Sequence, residues 1–382
     1  MRLCNEIPDS ELKKRQHPRQ NDVRGDYYRD TTAIIHSSPF RRLKHKTQVF
    51  FAPSNDHICT RMEHCLHVAS IASTICRGLG LDTELAWAIG MGHDLGHTPF
   101  GHTGEKIISS LLVERGFAPF QHEVNSLRVV DFLSNEGKGL NLTYAVRDGI
   151  VSHCGETMLK TIRPDFTVKD LSRITSRNGL IPSTWEATVV RFSDSIAYLG
   201  RDFEDASRLG IVTAGELPDI VRLKLGTTNS QIIDCLVEDV IAHSGPEGIS
   251  FSDEIFPAVE ALVQCNYQKI YRSRMLVGYE RYFSRLIRLI VQYLEELFKE
   301  NGFEQAGYLE ERNMLAVAFW RHITKMRQAY LEHGGSFDLM VMDYVAGMSD
   351  NFCLDCADEI LKPLHLNEES EEALLGKWFD AR

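Results

Sequence analysis

The chain has 382 residues, a formal charge of -11, 43% hydrophobic and 25% charged residues. That balance belongs to a globular protein with a sizeable core and excludes disordered or fibrous classes. No apolar run nears the roughly 18 residues of a membrane span, and the first residues carry no secretory pattern, so a cytoplasmic protein is expected.

Charge and cysteine usage narrow the reading further. The first 50 residues hold 11 Lys/Arg against 6 Asp/Glu, including Lys13-Lys14-Arg15 and the run Arg41 to Lys46. A net-acidic remainder argues against wrapping DNA, although this basic start keeps single-stranded nucleic acid as a candidate partner. Nine scattered cysteines, an odd number, fit a reducing compartment rather than a disulfide framework. The single Cys353-x-x-Cys356 pair is a weak zinc signal and is expected to pack.

In chain order, residues 1–25 are polar, with Pro8 and Pro18, and read as an arm. From Asp26 the apolar spacing is helical. Val68, Ile71, Ala72 and Ile75 make one stripe over 64–77, which Gly78 and Gly80 stop. A second helix fits 82–94, with Asp82 as N-cap and Glu84 in its first turn. The connector Gly96 to Gly101 contains Pro99, so the next helix is predicted to begin near His102. Further helices fit 122–134, 141–153, 186–208, 229–243, 253–265, 273–299 and much of 305–332. Segment 47–52 is ambiguous, and 160–184 reads as a long loop. The expected fold is mostly α, with little or no β.

Ten of the fifteen histidines fall within residues 17–122, most densely from His93 to Glu105. Imidazoles and carboxylates concentrated around glycines are hard to explain as packing. His64 shares the apolar face of its helix, which alone would read as a core histidine. Its weight rises because the next helix ends in His93-Asp94. Asp194, Tyr198 and Asp202 recur at i, i+4 and i+8, opposite an apolar stripe. A solvated face would explain them, yet Ala187, Val190 and Ala197 flank Asp194 and suggest a covered one.

Arg61-x-x-His64, His93-Asp94 and Asp194 in order resemble the HD-domain metal-dependent phosphohydrolases. More narrowly, Ser38 to Phe50, His93 to Glu105 and Asp194 to Asp202 resemble the bacterial deoxyguanosine triphosphate triphosphohydrolase-like proteins. The resemblance spans about residues 26–210 and weakens to general helical similarity beyond about 275. It implies an HD-domain helical core over 26–275, followed by a C-terminal helical region over 276–382. It also implies hydrolysis of deoxynucleoside triphosphates to deoxynucleoside plus intact triphosphate. By the same resemblance His64, His93, Asp94 and Asp194 are metal ligands. His102 and Glu105 are the catalytic histidine and its carboxylate, and His122 is a further active-site histidine. Arg61 contacts phosphate, Gln48 the nucleoside, and Tyr198 and Asp202 the sugar. A homo-oligomer, tetramer or hexamer, is implied as well. His67 has no ligand counterpart and is assigned to packing around the site. The acidic end, with Glu368, Glu369, Glu371 and Glu372, gives no basis for carrying over an allosteric nucleotide site.

The residue types suit that chemistry. Two imidazoles and two carboxylates make a mixed N/O set for a divalent cation. Mn²⁺ or Mg²⁺ is expected first, with Fe²⁺, Ni²⁺ or Zn²⁺ compatible. Such an ion polarises a phosphoryl oxygen and makes hydroxide available near neutral pH. On a helix, Glu105 lies one turn beyond His102 and can orient its ring as a general acid for the leaving alkoxide. Arg42 and Lys46 are weaker phosphate candidates. Two alternatives remain open: another HD chemistry, nucleotidase or phosphodiesterase, and a nucleic-acid-binding regulatory module.

Overall fold

The computed structural model describes residues 3–20, 22–51, 55–154, 158–332 and 336–361. Among them helices dominate, and β structure is confined to Thr161–Ile162 paired antiparallel with Ile249–Ser250, plus isolated bridges. The fold is mostly α, as the apolar spacing predicts. The acidic residues Glu368 to Glu372 lie outside the described residues.

The helix Arg61–Leu79 begins where Thr60 and Glu63 form a capping box. It ends at Gly80, whose backbone takes the left-handed conformation at φ +72°. Its buried stripe of Val68, Ile71, Ala72 and Ile75 faces the helix Thr83–Gly92. There a Cβ on Gly90 would lie 2.7 Å from the Ala69 Cα, so the two backbones touch. Asp82 caps the second helix by accepting from the Glu84 and Leu85 amides at 2.9 and 3.1 Å. The long helix Trp185–Arg208, capped by Thr184, crosses both.

The buried apolar residues form two clusters. One runs from Leu3 to Ile270 and encloses the helices Arg61–Leu79, Thr83–Gly92, Tyr144–Ser152 and Trp185–Arg208. The other joins Phe283 to Ala357 in the C-terminal helices with Phe100, Ile107, Ile108, Leu111 and Leu112. The helix Gly101–Glu114 therefore packs on the C-terminal core, although it lies between elements of the first cluster in sequence.

Several expectations are corrected. The start of the chain is no free arm: Leu3, Ile7 and Leu12 are buried in the first core. Arg15 pairs with Asp30 at 2.5 Å, and Asn5 donates to Glu186 at 2.8 Å. Helix 122–134 keeps α geometry only over His122–Arg128 and widens into a π turn at Val129–Leu133. The stretch 305–332 breaks into Gln305–Glu310 and Met314–Glu332. Arg312 turns left-handed there at φ +50°, and Asn313 accepts from the Ala316 amide at 2.8 Å, starting the next helix. Helices Phe337–Ala346 and Asp350–Leu361 add to the C-terminal core. Within 47–51 no strand forms, though Thr47 makes one antiparallel bridge to Thr60.

Candidate active site

Helix geometry brings His64, His93-Asp94 and Asp194 to one place. His64 sits one turn into its helix, His93-Asp94 follow the end of Thr83–Gly92, and Asp194 lies mid-way along Trp185–Arg208. His64 Nε2 is 2.9 Å from Asp194 Oδ1. His93 Nε2 is 3.9 Å from the same oxygen and 3.7 Å from Asp94 Oδ2. The covered face expected around Asp194 is present, its side chain being 15% exposed.

These donors suit a divalent cation. His93 Nδ1 lies 2.7 Å from the Gly90 carbonyl and so carries the ring proton, which leaves Nε2 as a lone pair. That Nε2 is buried and has no hydrogen-bond partner. Burial depresses the His93 pKa to about 4, keeping the ring neutral. Burial works against ionisation of Asp94, but the Arg61 guanidinium 2.5 Å away holds it well below the carboxylate range. Asp194, similarly, is held at about 2 against burial by its hydrogen bond to His64. At His93 a neutral imidazole faces ionised carboxylates, the protonation pattern that metal binding requires. Burial would lower the His64 pKa too, but its hydrogen bond to Asp194 raises it, so a cation would displace the His64 proton. His153, its Nδ1 2.6 Å from the Ile150 carbonyl, places its ring 4.9 Å from that of His93.

A second cluster adjoins the first. Glu105 Oε2 is 3.2 Å from His102 Nδ1, and both its oxygens are 3.1 Å from His122 Nδ1. The Glu105 carboxylate also accepts from the His122 amide at 3.0 Å. Burial would raise the Glu105 pKa, but His122 and His102 drive it far below the usual range. Burial would likewise lower His122, yet Glu105 and Glu123 raise it to about 9, so this ring is protonated near neutral pH. The His102 side chain is 66% exposed and reaches outward. His97 joins the clusters: its Nε2 is 3.5 Å from Asp94 Oδ1, and its ring stacks on His122 at 4.0 Å.

The remaining predicted contacts surround this centre. Arg61 is buried against Asp94, and its other nitrogen donates to the Gln48 carbonyl at 3.3 Å. Gln48 Oε1 is buried and unpartnered. Tyr198 is half-buried, and burial beside Asp194 raises its phenol pKa. Asp202 is buried, accepts from the Tyr271 hydroxyl at 2.6 Å, and is pushed up to about 7 by burial. His67 is half-buried and absent from the donor groups. Cys353 and Cys356 are buried in the C-terminal core and belong to no metal-competent group among the described residues. Lys46 is buried and donates to the His97 and Ala346 carbonyls.

Sequence reasoning gave no role to His97, His153, Tyr271 or Asp350. His97 lies within the dense histidine run, and its i+4 spacing from His93 was a usable signal. His153 directly follows a helix whose residues Tyr144 to Ser152 are all buried. For Tyr271 and Asp350, no local pattern marks a partner 69 or 250 residues away.

Comparison with known proteins gives the family. The HD domain family matches residues 61–199, a span that begins at Arg61 and includes Tyr198. A deoxyguanosinetriphosphate triphosphohydrolase-like protein of Caldanaerobacter subterraneus subsp. tengcongensis is 36% identical over 345 residues, 90% of this chain and 86% of the relative. Proteins of the same name from Desulfatibacillum aliphaticivorans and Clostridium tetani are 35% and 34% identical, covering 93% and 90% of this chain and 93% and 88% of their own. The chain belongs to the deoxyguanosinetriphosphate triphosphohydrolase-like family of HD-domain, metal-dependent phosphohydrolases.

Proposed function

We propose that this chain hydrolyses deoxynucleoside triphosphates, dGTP or several dNTPs, to deoxynucleoside plus intact triphosphate. The observation that carries the reading is His97. It touches Asp94 on one side and stacks on His122 on the other, so a proton-holding cluster stands directly beside a cation-binding one. Attack at the α-phosphorus expels the 5′ alkoxide of the sugar, a poor leaving group that needs both a phosphoryl-polarising charge and a proton.

In this reading His64, His93, Asp94 and Asp194 hold one divalent cation, Mn²⁺ or Mg²⁺ first among those compatible. That ion supplies Lewis acidity toward the α-phosphoryl oxygen and an activated water near neutral pH. Arg61 keeps Asp94 ionised and oriented, and its charge also faces the triphosphate. Glu105 fixes the ring of His102, which donates the proton to the leaving 5′ oxygen. His122, protonated at neutral pH, replenishes that proton or neutralises phosphate. Gln48, with its free buried acceptor, reads the nucleoside, Tyr198 and Asp202 line the sugar, and Gln48 with Tyr198 crowds the place of a 2′ hydroxyl. Residues 26–275 are the phosphohydrolase core, and a C-terminal region follows from 276, helical over its described part as far as 361. The resemblance carries a cytoplasmic tetramer or hexamer into the same proposal.

The test is incubation with each dNTP and Mn²⁺, product identification, and the same assay on Asp94→Asn. Free triphosphate formed by the wild type and lost in the variant supports the reading. Orthophosphate or pyrophosphate as product transfers the chain to another HD chemistry.

A further inference from the structure

The two clusters of the site are built on different cores. His64, His93 and Asp194 ride on helices of the first core, whereas His102 and Glu105 ride on Gly101–Glu114, packed against the C-terminal helices. Proton donor and cation site must nevertheless be held within a fraction of an ångström of their working geometry. One carboxylate ties the two supports together. Asp350, the first residue of Asp350–Leu361, is 3% exposed. Its Oδ1 accepts from the Phe100 amide at 2.8 Å, and its Oδ2 from the Thr47 amide and hydroxyl at 2.9 and 2.5 Å.

Each contact leads into one half of the site. Thr47 bridges to Thr60, the cap of the His64 helix, and the Lys46 carbonyl next to it accepts from the Arg61 amide at 3.1 Å. Phe100 immediately precedes the His102 helix and is left-handed at φ +60°, followed by Gly101 at φ +58°. A left-handed phenylalanine is costly and persists only where its surroundings impose it. Here its amide is held by Asp350, and its ring stacks at 3.8 Å on Phe283 of the Arg274–Asn301 helix. The turn folds closely onto the helix it starts, since a Cβ on Gly104 would fall 1.8 Å from the Pro99 carbonyl oxygen. The buried Lys46 Nζ reinforces the joint by donating to the His97 and Ala346 carbonyls.

We propose that Asp350 is a positioning residue that pins the left-handed Phe100–Gly101 turn to the Thr47 segment, and thereby aims His102 and Glu105 at the cation site. The proposal rests on the acid–base reading of His102 and Glu105. It gives the C-terminal helices a catalytic purpose, since they present the carboxylate from outside the HD-family match. Asparagine cannot replace Asp350, because its amide nitrogen would face the donor N–H of Phe100 or the donors of Thr47.

The test compares wild type, Asp350→Asn, Phe100→Gly and the double variant. Three readouts are used: dGTP turnover, Mn²⁺ bound per chain, and backbone amide exchange over 46–50 and 99–106. Asp350→Asn is expected to lower kcat about 10–100-fold, with KM within about 2-fold. Mn²⁺ stoichiometry stays unchanged and amide exchange accelerates in those two segments. Glycine takes the left-handed turn without strain, so adding Asp350→Asn to Phe100→Gly should change kcat by less than about 3-fold. A merely structural anchor gives additive losses, and additivity overturns the proposal. So does wild-type kcat and exchange in Asp350→Asn. Should that variant fail to fold, Thr47→Val removes one donor and is expected to lower kcat about 3–10-fold, and no change in its exchange or turnover rejects the pin. If the wild type cleaves no dNTP, the proposed substrate falls, and the exchange data alone decide whether Asp350 holds the turn.

Discussion

Replacing Glu105 by Gln removes the carboxylate that two imidazoles share while keeping its size. In the wild type burial favours neutral His122, and Glu105 with Glu123 overrides it, lifting the pKa from 6.5 to about 9. A shift of that size corresponds to something on the order of 3 kcal/mol of preference for the protonated ring. The folded-state pKa is raised, so this stabilisation is complete below about 6.5 and vanishes as pH climbs through about 9. Wild-type activity should therefore fall on an alkaline limb near pH 9, and thermal stability should decline over the same window. In Glu105→Gln the limb should move down by at least one pH unit. The rate at pH 7.5 should drop about 10²–10⁴-fold, the usual value of positioned acid–base help. Initial rates of dGTP cleavage from pH 6 to 10, with bound Mn²⁺ measured alongside, provide the assay. A variant that keeps more than a tenth of the rate, or keeps its limb at pH 9, would falsify the shared-carboxylate account.

Other perturbations probe the remaining parts. Asp194→Asn removes the carboxylate 2.9 Å from His64 and should cut Mn²⁺ affinity at least about 10-fold, and metal analysis showing a full site would contradict the proposed ligand set. Gly104→Ala drives a methyl into the Pro99 carbonyl and should destabilise the fold by about 3 kcal/mol or more, against which an unchanged Tm would count. Tyr271→Phe deprives buried Asp202 of its donor and should raise KM for dNTP roughly 3–10-fold, so an unaltered KM detaches Asp202 from the sugar. Assays of dGTP beside GTP test the crowded 2′ position, and equal rates would remove Gln48 and Tyr198 from that role.

The parts of this molecule legible in its sequence are those governed by local rules. Apolar spacing of 3.6 marks the His64 helix and its stripe, and Asp82 marks the start of the next one. The dyad His93-Asp94 stands out because charge and imidazole adjoin a buried helix end. Periodicity tells which face of a helix is covered but not by what. The same pattern that places Asp202 on a covered face is silent about Tyr271, and nothing near Thr47 announces Asp350. The docked start escapes for a related reason. Leu3, Ile7 and Leu12 are too widely spaced among polar residues to advertise burial, and the groove that receives them is made by distant segments. Nor does the spacing of Ile107, Ile108 and Leu111 reveal that their helix joins the C-terminal core rather than the one its sequence neighbours build.

The central claim is that water is delivered to the α-phosphorus and the 5′ oxygen leaves with a proton. Running the reaction on dGTP and Mn²⁺ in ¹⁸O-water, with ³¹P NMR and mass analysis of both products, reads the broken bond directly. The account predicts one ¹⁸O in the released triphosphate and none in the deoxynucleoside. Label in the nucleoside, or a nucleoside mono- or diphosphate among the products, would contradict it.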